Sequence, residues 1–141
     1  MIHRIVLDTN VLVAGLRSRR GASFQMLLRI ESGAVRPILS VPLVLEYEEV
    51  LRRHASVLRL TIADIDAVLN DLCTFGEHHS IFFLWRPTLR DPDDELVLEV
   101  AVAAQSPVIV THNVKDFDGA DQFGVRVYTP REWLRSIGER Q

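Results

Sequence analysis

Two kinds of hydrophobic pattern alternate along the chain. Short apolar runs predict strands over residues 4–8, 37–41, 81–85, 108–111 and 125–129. Between them, apolar residues recur every three or four positions and predict helices from 24 up to Gly33 and over 42–53, 62–72, 93–104 and 130–137. Apolar strands that alternate with helices are typical of a parallel sheet covered on both faces. The pattern therefore predicts a three-layer α/β/α fold.

Several polar residues and prolines mark where these helices begin. Pro42 occupies a favourable first-turn position for the helix over 42–53, and Thr61 with Asp64 resembles a capping box. Asp91 and Pro92 are suited to be the cap and first residue of the helix over 93–104. Because that helix is apolar almost all round, we expect it to be buried.

Composition limits the size, compartment and partners of the protein. With 141 residues, of which 48% are hydrophobic, we expect one domain over 1–141 with one core. The 16 basic and 19 acidic residues give a net charge of −3, which does not indicate non-specific nucleic-acid binding. The single cysteine cannot form an internal disulfide, and the start of the sequence lacks the pattern of a signal peptide. No apolar run approaches 18 residues, so we expect a cytoplasmic protein without membrane partners.

Four acids follow apolar runs: Asp8, Glu46, Asp94 and Asp116. Asp8, the helix that begins at Pro42 and the loop with Asp116 come directly after strands, so they are expected to share the ligand-binding edge of the sheet. Two carboxylates about 4 Å apart repel by about 4 kcal/mol at an effective dielectric constant near 20. Such a cluster must take up protons or bind a cation, and Mg²⁺ prefers carboxylate and water oxygens. The acids are therefore candidate metal ligands.

Each acid also has an ordinary structural interpretation. Taken alone, Asp8 is a good helix cap before Thr9 and Asn10, and Asp116 is a good turn former. The helix at Pro42 offers three glutamates. Helical spacing places Glu46 beside the apolar stripe, whereas Glu48 and Glu49 suit a solvated face with arginines four residues later.

Spacing does not separate the two acids that follow Pro92. Asp93 and Asp94 both suit the first turn of the helix, where a negative charge complements the helix dipole.

Other familiar sites are missing from the sequence. The five histidines show no zinc spacing, with His112 alone adjacent to the candidate site, and no glycine-rich phosphate loop or serine-hydrolase motif is present.

The combination of VLDTNVLV, RDPDDELVLEVAVAA and VIVTHNVKDF, in that order and spacing, resembles the PIN-domain family. The chain is most similar to the small VapC-like toxin ribonucleases of toxin-antitoxin pairs, over essentially its whole length. The resemblance implies a five-stranded parallel sheet in the order 3-2-1-4-5. It also implies hydrolysis of RNA phosphodiester bonds with Mg²⁺ or Mn²⁺, a homodimer, and an antitoxin partner whose segment covers the active site.

The resemblance also assigns roles to residues. The family's third acid precedes an alanine by seven residues, which selects Asp94 because Ala101 follows at that distance. Where many members have an inner aspartate, this chain has Asn113, so the fourth acid is Asp116, with the number of ions left open. The implied catalytic and metal-binding set is thus Asp8, Glu46, Asp94 and Asp116, supported by Thr9, Asn10, Thr111 and Asn113.

An acidic pocket repels RNA, so basic residues are needed close to it. Arg17, Arg19 and Arg20, in the loop after the first helix, are the candidates for RNA contact, with an ordinary solvated loop as the alternative.

Asn113 supports a second hypothesis, a catalytically weakened PIN-like module that binds RNA or a partner protein. A phospho-accepting receiver domain shares the sheet type, but it needs an acidic pair before its first helix, which MIHRIVLDTN does not contain.

Overall fold

The computed structural model describes residues 2–81, 89, 91–105 and 108–138. The strands are β1 His3–Leu7, β2 Val35–Leu39, β3 Glu77–His78, β4 Val108–Val110 and β5 Arg126–Tyr128. The α-helices are α1 Thr9–Arg17, α2 Ala22–Glu31, α3 Val41–Arg53, α4 Ala55–Leu58, α5 Ile62–Phe75, α6 Pro92–Ala103 and α7 Pro130–Gly138. Two short 3₁₀ helices, Val114–Phe117 and Ala120–Phe123, lie between β4 and β5.

The strands form one parallel sheet in the order β3-β2-β1-β4-β5. This is the order that the family resemblance predicts, and it is confirmed. β1 lies at the centre, where Ile5 is paired with Pro37 of β2 and Leu7 with Val110 of β4. The strand order reverses between β1 and β4, which is where ligands of such sheets bind. Asp8 and Thr111 directly follow these two strands.

The third strand is not where the apolar run over 81–85 places it. β3 is the polar pair Glu77–His78, matched with Ile38 and Leu39 of β2. Of the predicted segment, Ile81 is in no strand and the other positions lie outside the described residues. The strand escapes detection because its two residues carry no apolar run. Its position is instead supported by Arg4 of β1, whose Nε donates to Glu77 Oε1 at 2.9 Å.

The helix starts at Thr61 and Asp91 follow the capping chemistry that the sequence predicts, and Pro42 lies in the first turn of α3 as expected, behind a cap at Ser40 that was not predicted. Ser40 is the N-cap of α3, and its hydroxyl accepts from the Leu43 amide at 3.2 Å. Thr61 and Asp64 form the predicted capping box of α5. Asp91 caps α6, and α6 buries Val97, Leu98, Val100 and Ala101, as its apolar pattern predicts. Among the described helices, none is long and apolar enough to cross a membrane.

One buried hydrogen bond fastens α3 to the sheet beside Asp8. The hydroxyl of the fully buried Tyr47 donates to the backbone carbonyl of Leu7, the last residue of β1. Burial, with a smaller contribution from the charge of Asp8, strongly raises the pKa of Tyr47, so the phenol stays a neutral donor. Because Glu46 directly precedes Tyr47, this bond also fixes the turn of α3 that carries Glu46.

Candidate metal centre

Asp8 is a carboxylate held in the interior at the carboxyl end of β1. Its side chain is 8% exposed and accepts from the Thr9 amide at 2.8 Å, so Asp8 is the N-cap of α1. Its other oxygen accepts from the Thr111 hydroxyl at 2.7 Å. Burial raises the pKa of Asp8, the two hydrogen bonds lower it, and the charges of Asp116 and Asp91 raise it again. The cap interpretation is therefore correct, yet capping alone does not explain the crowding by other acids.

A network of polar side chains surrounds Asp8. The hydroxyl of Thr111, which is fully buried, bonds Asp8 and lies 3.4 Å from the Asn10 amide nitrogen. Asn10 Oδ1 accepts from the backbone amide of His112 at 3.1 Å, and the amide of Asn113 donates to Thr111 Oγ1 at 3.0 Å. The carboxamide of Asn113 is on an exposed residue. These bonds lock the loop after β4 onto the start of α1.

Asp94 lies in the first turn of α6, facing the same acids. Burial is the largest cause that raises its pKa to about 7, followed by the charges of Asp8, Asp91, Asp116 and Asp93. A carboxyl group with such a pKa is partly protonated at neutral pH unless a cation compensates it. The structure therefore brings Asp8, Asp94 and Asp116 within electrostatic reach of one another, although they are up to 108 positions apart in sequence.

Glu46 and Asp116 lie at the outer part of this group. Glu46 is partly buried, and its pKa is raised by burial first and then by the charges of Asp93, Glu49 and Asp91, against a lowering effect of Arg53. Asp116 is exposed in the 3₁₀ helix Val114–Phe117, where its amide donates to the Asn113 carbonyl at 3.0 Å.

Asp91 is the acid whose position the sequence interpretation underrated. As a helix cap, it accepts from the Asp93 amide at 2.9 Å. Its charge also raises the pKa of Asp8, of Asp94 and of Glu46. Asp91 therefore links Glu46 on α3 electrostatically to the group of Asp8, Asp94 and Asp116. The signal was present in the sequence, since RDPDD places three acids within four residues, but its cap role gave no reason to look further.

Basic side chains do not neutralise the inner acids in the part of the chain that the structure describes. There, Asp8, Asp94 and Asp116 are in no ion pair, whereas Glu48 and Glu49 pair with Arg52 and Arg53. This agrees with the predicted solvated face of α3. The predicted RNA-contacting arginines are exposed: Arg17 ends α1, and Arg19 and Arg20 lie in the following turn.

The donor set fits a hard divalent cation, with a limit on how many carboxylates contact it directly. Within residues 2–81, 89, 91–105 and 108–138, no three His, Cys, Asp or Glu side chains are arranged so that they could hold a metal ion. Mg²⁺ does not need such a cage, because it is commonly bound by one or two carboxylates, with water and substrate phosphate at its other positions. Crowded, uncompensated carboxylates beside hydroxyl and amide oxygens meet that requirement.

Comparison with known proteins agrees with this geometry. The chain matches the PIN domain family over residues 4–115, and it belongs to that family. The match contains Asp8, Glu46 and Asp94 and ends one residue before Asp116. PIN domains are generally nucleases that use divalent metal ions. A search of curated proteins found no match.

Eight chains of solved structures match the fold. One is the crystal structure of VapBC2 from Rickettsia felis bound to a DNA fragment from their promoter. The alignment has a TM-score of 0.56 at 14% identity, and it covers 88% of this chain and 98% of that chain. At this identity the likeness concerns the fold alone.

Proposed function

We propose that this chain is a single-domain, metal-dependent endoribonuclease that hydrolyses RNA phosphodiester bonds. The observation that carries the proposal is the pair of Asp8 and Asp94 beside Asp116, without an ion-pair partner among the described residues, in a chain of the PIN domain family. Folding these acids together raises the pKa of both aspartates, which is a cost that a purely structural cluster would have no reason to keep. A divalent cation relieves that cost and is what phosphodiester hydrolysis requires.

Each residue of the proposed site has a distinct task. Asp8 and Asp94 hold Mg²⁺ or Mn²⁺, and Glu46 and Asp116 complete the site through direct or water-mediated contacts. Thr9, Thr111, Asn10 and Asn113 fix the orientation of Asp8 and of the loop after β4, as outer-shell groups do. The ion supplies Lewis acidity, activating water and balancing negative charge on the phosphate.

The proposal includes a toxin role with three partners. RNA is the substrate, and the exposed Arg17, Arg19 and Arg20 contact its backbone beside the acidic site. The fold shared with VapBC2 supports a cognate antitoxin protein as the second partner. The third partner, which the family resemblance implies, is a second copy of the chain in a homodimer. The proposed compartment is the cytoplasm.

The test is cleavage of a labelled single-stranded RNA by wild type, Asp8→Asn and Asp94→Asn in Mg²⁺, in Mn²⁺ and in EDTA. We expect wild type to cleave only with metal, and each variant to lose at least about a hundredfold in rate. Asp66→Asn is the matched control, because Asp66 is an exposed acid on α5 outside the site. Circular dichroism checks that every variant keeps its fold.

The same experiment separates the nuclease from a weakened binding module. A wild-type chain that binds RNA without cutting it in either metal would favour the binding module. Full activity of both aspartate variants would refute the site assignment.

A further inference from the structure

Ser23 and His112 form a contact that the proposed metal site does not require. Ser23 is the second residue of α2 and is only 4% exposed, while His112 is exposed in the loop after β4. Their side chains meet at 2.7 Å, between Ser23 Oγ and His112 Nε2. The backbone amide of His112 is held by Asn10 Oδ1 at 3.1 Å. The imidazole is therefore fixed at both its ring and its backbone.

The hydrogen bonds of Ser23 indicate which nitrogen of the His112 ring carries the proton. A buried hydroxyl must donate its proton to an acceptor, and the Ser23 hydroxyl has no other hydrogen bond in the described part of the chain. We therefore assign Ser23 as the donor to His112 Nε2, which places the ring proton on Nδ1. Nδ1 has no partner among the described residues. A fixed donor thus remains on an exposed residue, directly before Asn113.

The surroundings of this donor suit an anion. Arg19 and Arg20 precede Ser23 by four and three residues, in the exposed turn that leads into α2, and neither is ion-paired within the described ranges. The same loop and His112 thus place positive charge and an N–H donor on the α2 side of the carboxylates. RNA phosphates need such groups beside an acidic centre.

We propose that His112, held by Ser23, binds a backbone phosphate of the RNA next to the scissile one. This inference rests on the proposed nuclease function and defines which side of the site the RNA backbone follows. His112 acts as a hydrogen-bond donor that positions the substrate, whereas Arg19 and Arg20 contribute charge.

Replacements of His112 distinguish the two ring nitrogens. The amide nitrogen of Asn occupies the place of Nδ1, so His112→Asn keeps the donor to phosphate but loses the contact with Ser23. Gln reaches the place of Nε2, so His112→Gln keeps the contact with Ser23 but lacks the outward donor. His112→Phe lacks both. Affinity for a fluorescein-labelled single-stranded RNA is measured in the Asp94→Asn background, so that cleavage does not interfere.

We expect His112→Phe and His112→Gln to weaken RNA binding about tenfold, and His112→Asn to restore most of it. The slope of log affinity against log salt should stay unchanged in all three, whereas Arg19→Ala or Arg20→Ala should each reduce it by about one. In the otherwise wild-type enzyme, His112→Gln should raise KM about tenfold with little change in kcat.

A purely structural contact makes the opposite prediction. His112→Phe and Ser23→Ala would then lower the melting temperature. The RNA affinity of the variants would rank with their stability, and it would not depend on whether they keep a donor in the place of Nδ1. Equal RNA affinity of His112→Gln and wild type would overturn the inference. Failure of the nuclease proposal looks different, because wild type itself would then cleave no RNA in any metal.

Discussion

Two groups of charged side chains on this sheet differ in how their carboxylates are compensated. Glu77, on the edge strand β3, accepts from Arg4 and contacts His79, and its pKa is lowered to about 2, chiefly by the hydrogen bond from Arg4. The charged neighbours that raise the pKa of Asp94 among the described residues are all acids, and burial with their repulsion raises that pKa to about 7. The same chemical group is thus stabilised as an anion in one place and destabilised in the other.

The difference separates an acid with a structural ion pair from acids that suit a binding site. The ion pair of Glu77 joins β1 to β3. The acids at the carboxyl edge around Asp8 have no such cationic partner among the described residues, which is the electrostatic pattern expected of a binding site. Counting acids along the sequence does not make this distinction, because it depends on which arginine each acid meets.

Beyond the replacement of Asp8 or Asp94 themselves, the largest expected effect comes from disturbing the support of Asp8. Thr111→Val keeps the shape of the side chain but removes the hydroxyl that donates to Asp8 at 2.7 Å, so Asp8 becomes poorly oriented and harder to ionise. We expect a 10- to 100-fold fall in the RNA cleavage rate, an estimate based on typical outer-shell variants. Thr111→Ser keeps the hydroxyl and should retain most activity. Equal rates for Val and Ser would show that this hydrogen bond is dispensable.

A smaller effect is expected at the exposed rim. Asp116→Asn removes a charge that raises the pKa of Asp8 and Asp94, but the side chain lies on the surface. If Asp116 acts through water, the cleavage rate should fall about tenfold, less than in Asp8→Asn. Cleavage assays over a range of Mg²⁺ concentrations measure this. A loss as severe as in Asp8→Asn would instead indicate direct contact with the ion.

The comparison between the two charged groups also predicts opposite effects on stability. A carboxyl pKa raised from about 4 in the unfolded chain to about 7 contributes stability that is present below pH 4 and is lost as pH rises through 7. Without metal, Asp94→Asn should therefore raise the free energy of unfolding at pH 8 by about 1–2 kcal/mol after allowance for solvent screening, with little effect at pH 4. Urea denaturation at both pH values tests this.

Glu77→Gln is the matched case with the opposite sign. The lowered pKa of Glu77 contributes stability that is present above its unfolded value and is lost as pH falls toward about 2. The variant should lose about 1 kcal/mol at pH 7, because the pair is only partly buried, and the difference should shrink in acid. Parallel pH dependence for Asp94→Asn and Glu77→Gln would remove the contrast between the two groups.

Much of the fold follows from local patterns. The helix starts at Ser40, Thr61 and Asp91 are set by capping bonds between neighbouring residues, so nearby sequence is sufficient to find them. The sequence pattern placed β3 wrongly because this strand consists of two polar residues, Glu77 and His78. They pair with Ile38 and Leu39 of β2, which are distant in sequence. In the site, spacing could not separate Asp93 from Asp94, and only the family resemblance selected Asp94.

The order of apolar and polar residues alone was enough for the parallel α/β architecture and for placing Asp8 and the loop with Asp116 at its carboxyl edge, because periodicity and strand ends are local properties. Only the tertiary structure decided which of the described carboxylates pair with an arginine, that Asp91 interacts with Asp8, Asp94 and Glu46, and that Ser23 fixes the ring of His112. Charge interactions and hydrogen bonds depend on distances in space, and residues 8 and 111 become neighbours only when β1 and β4 pair.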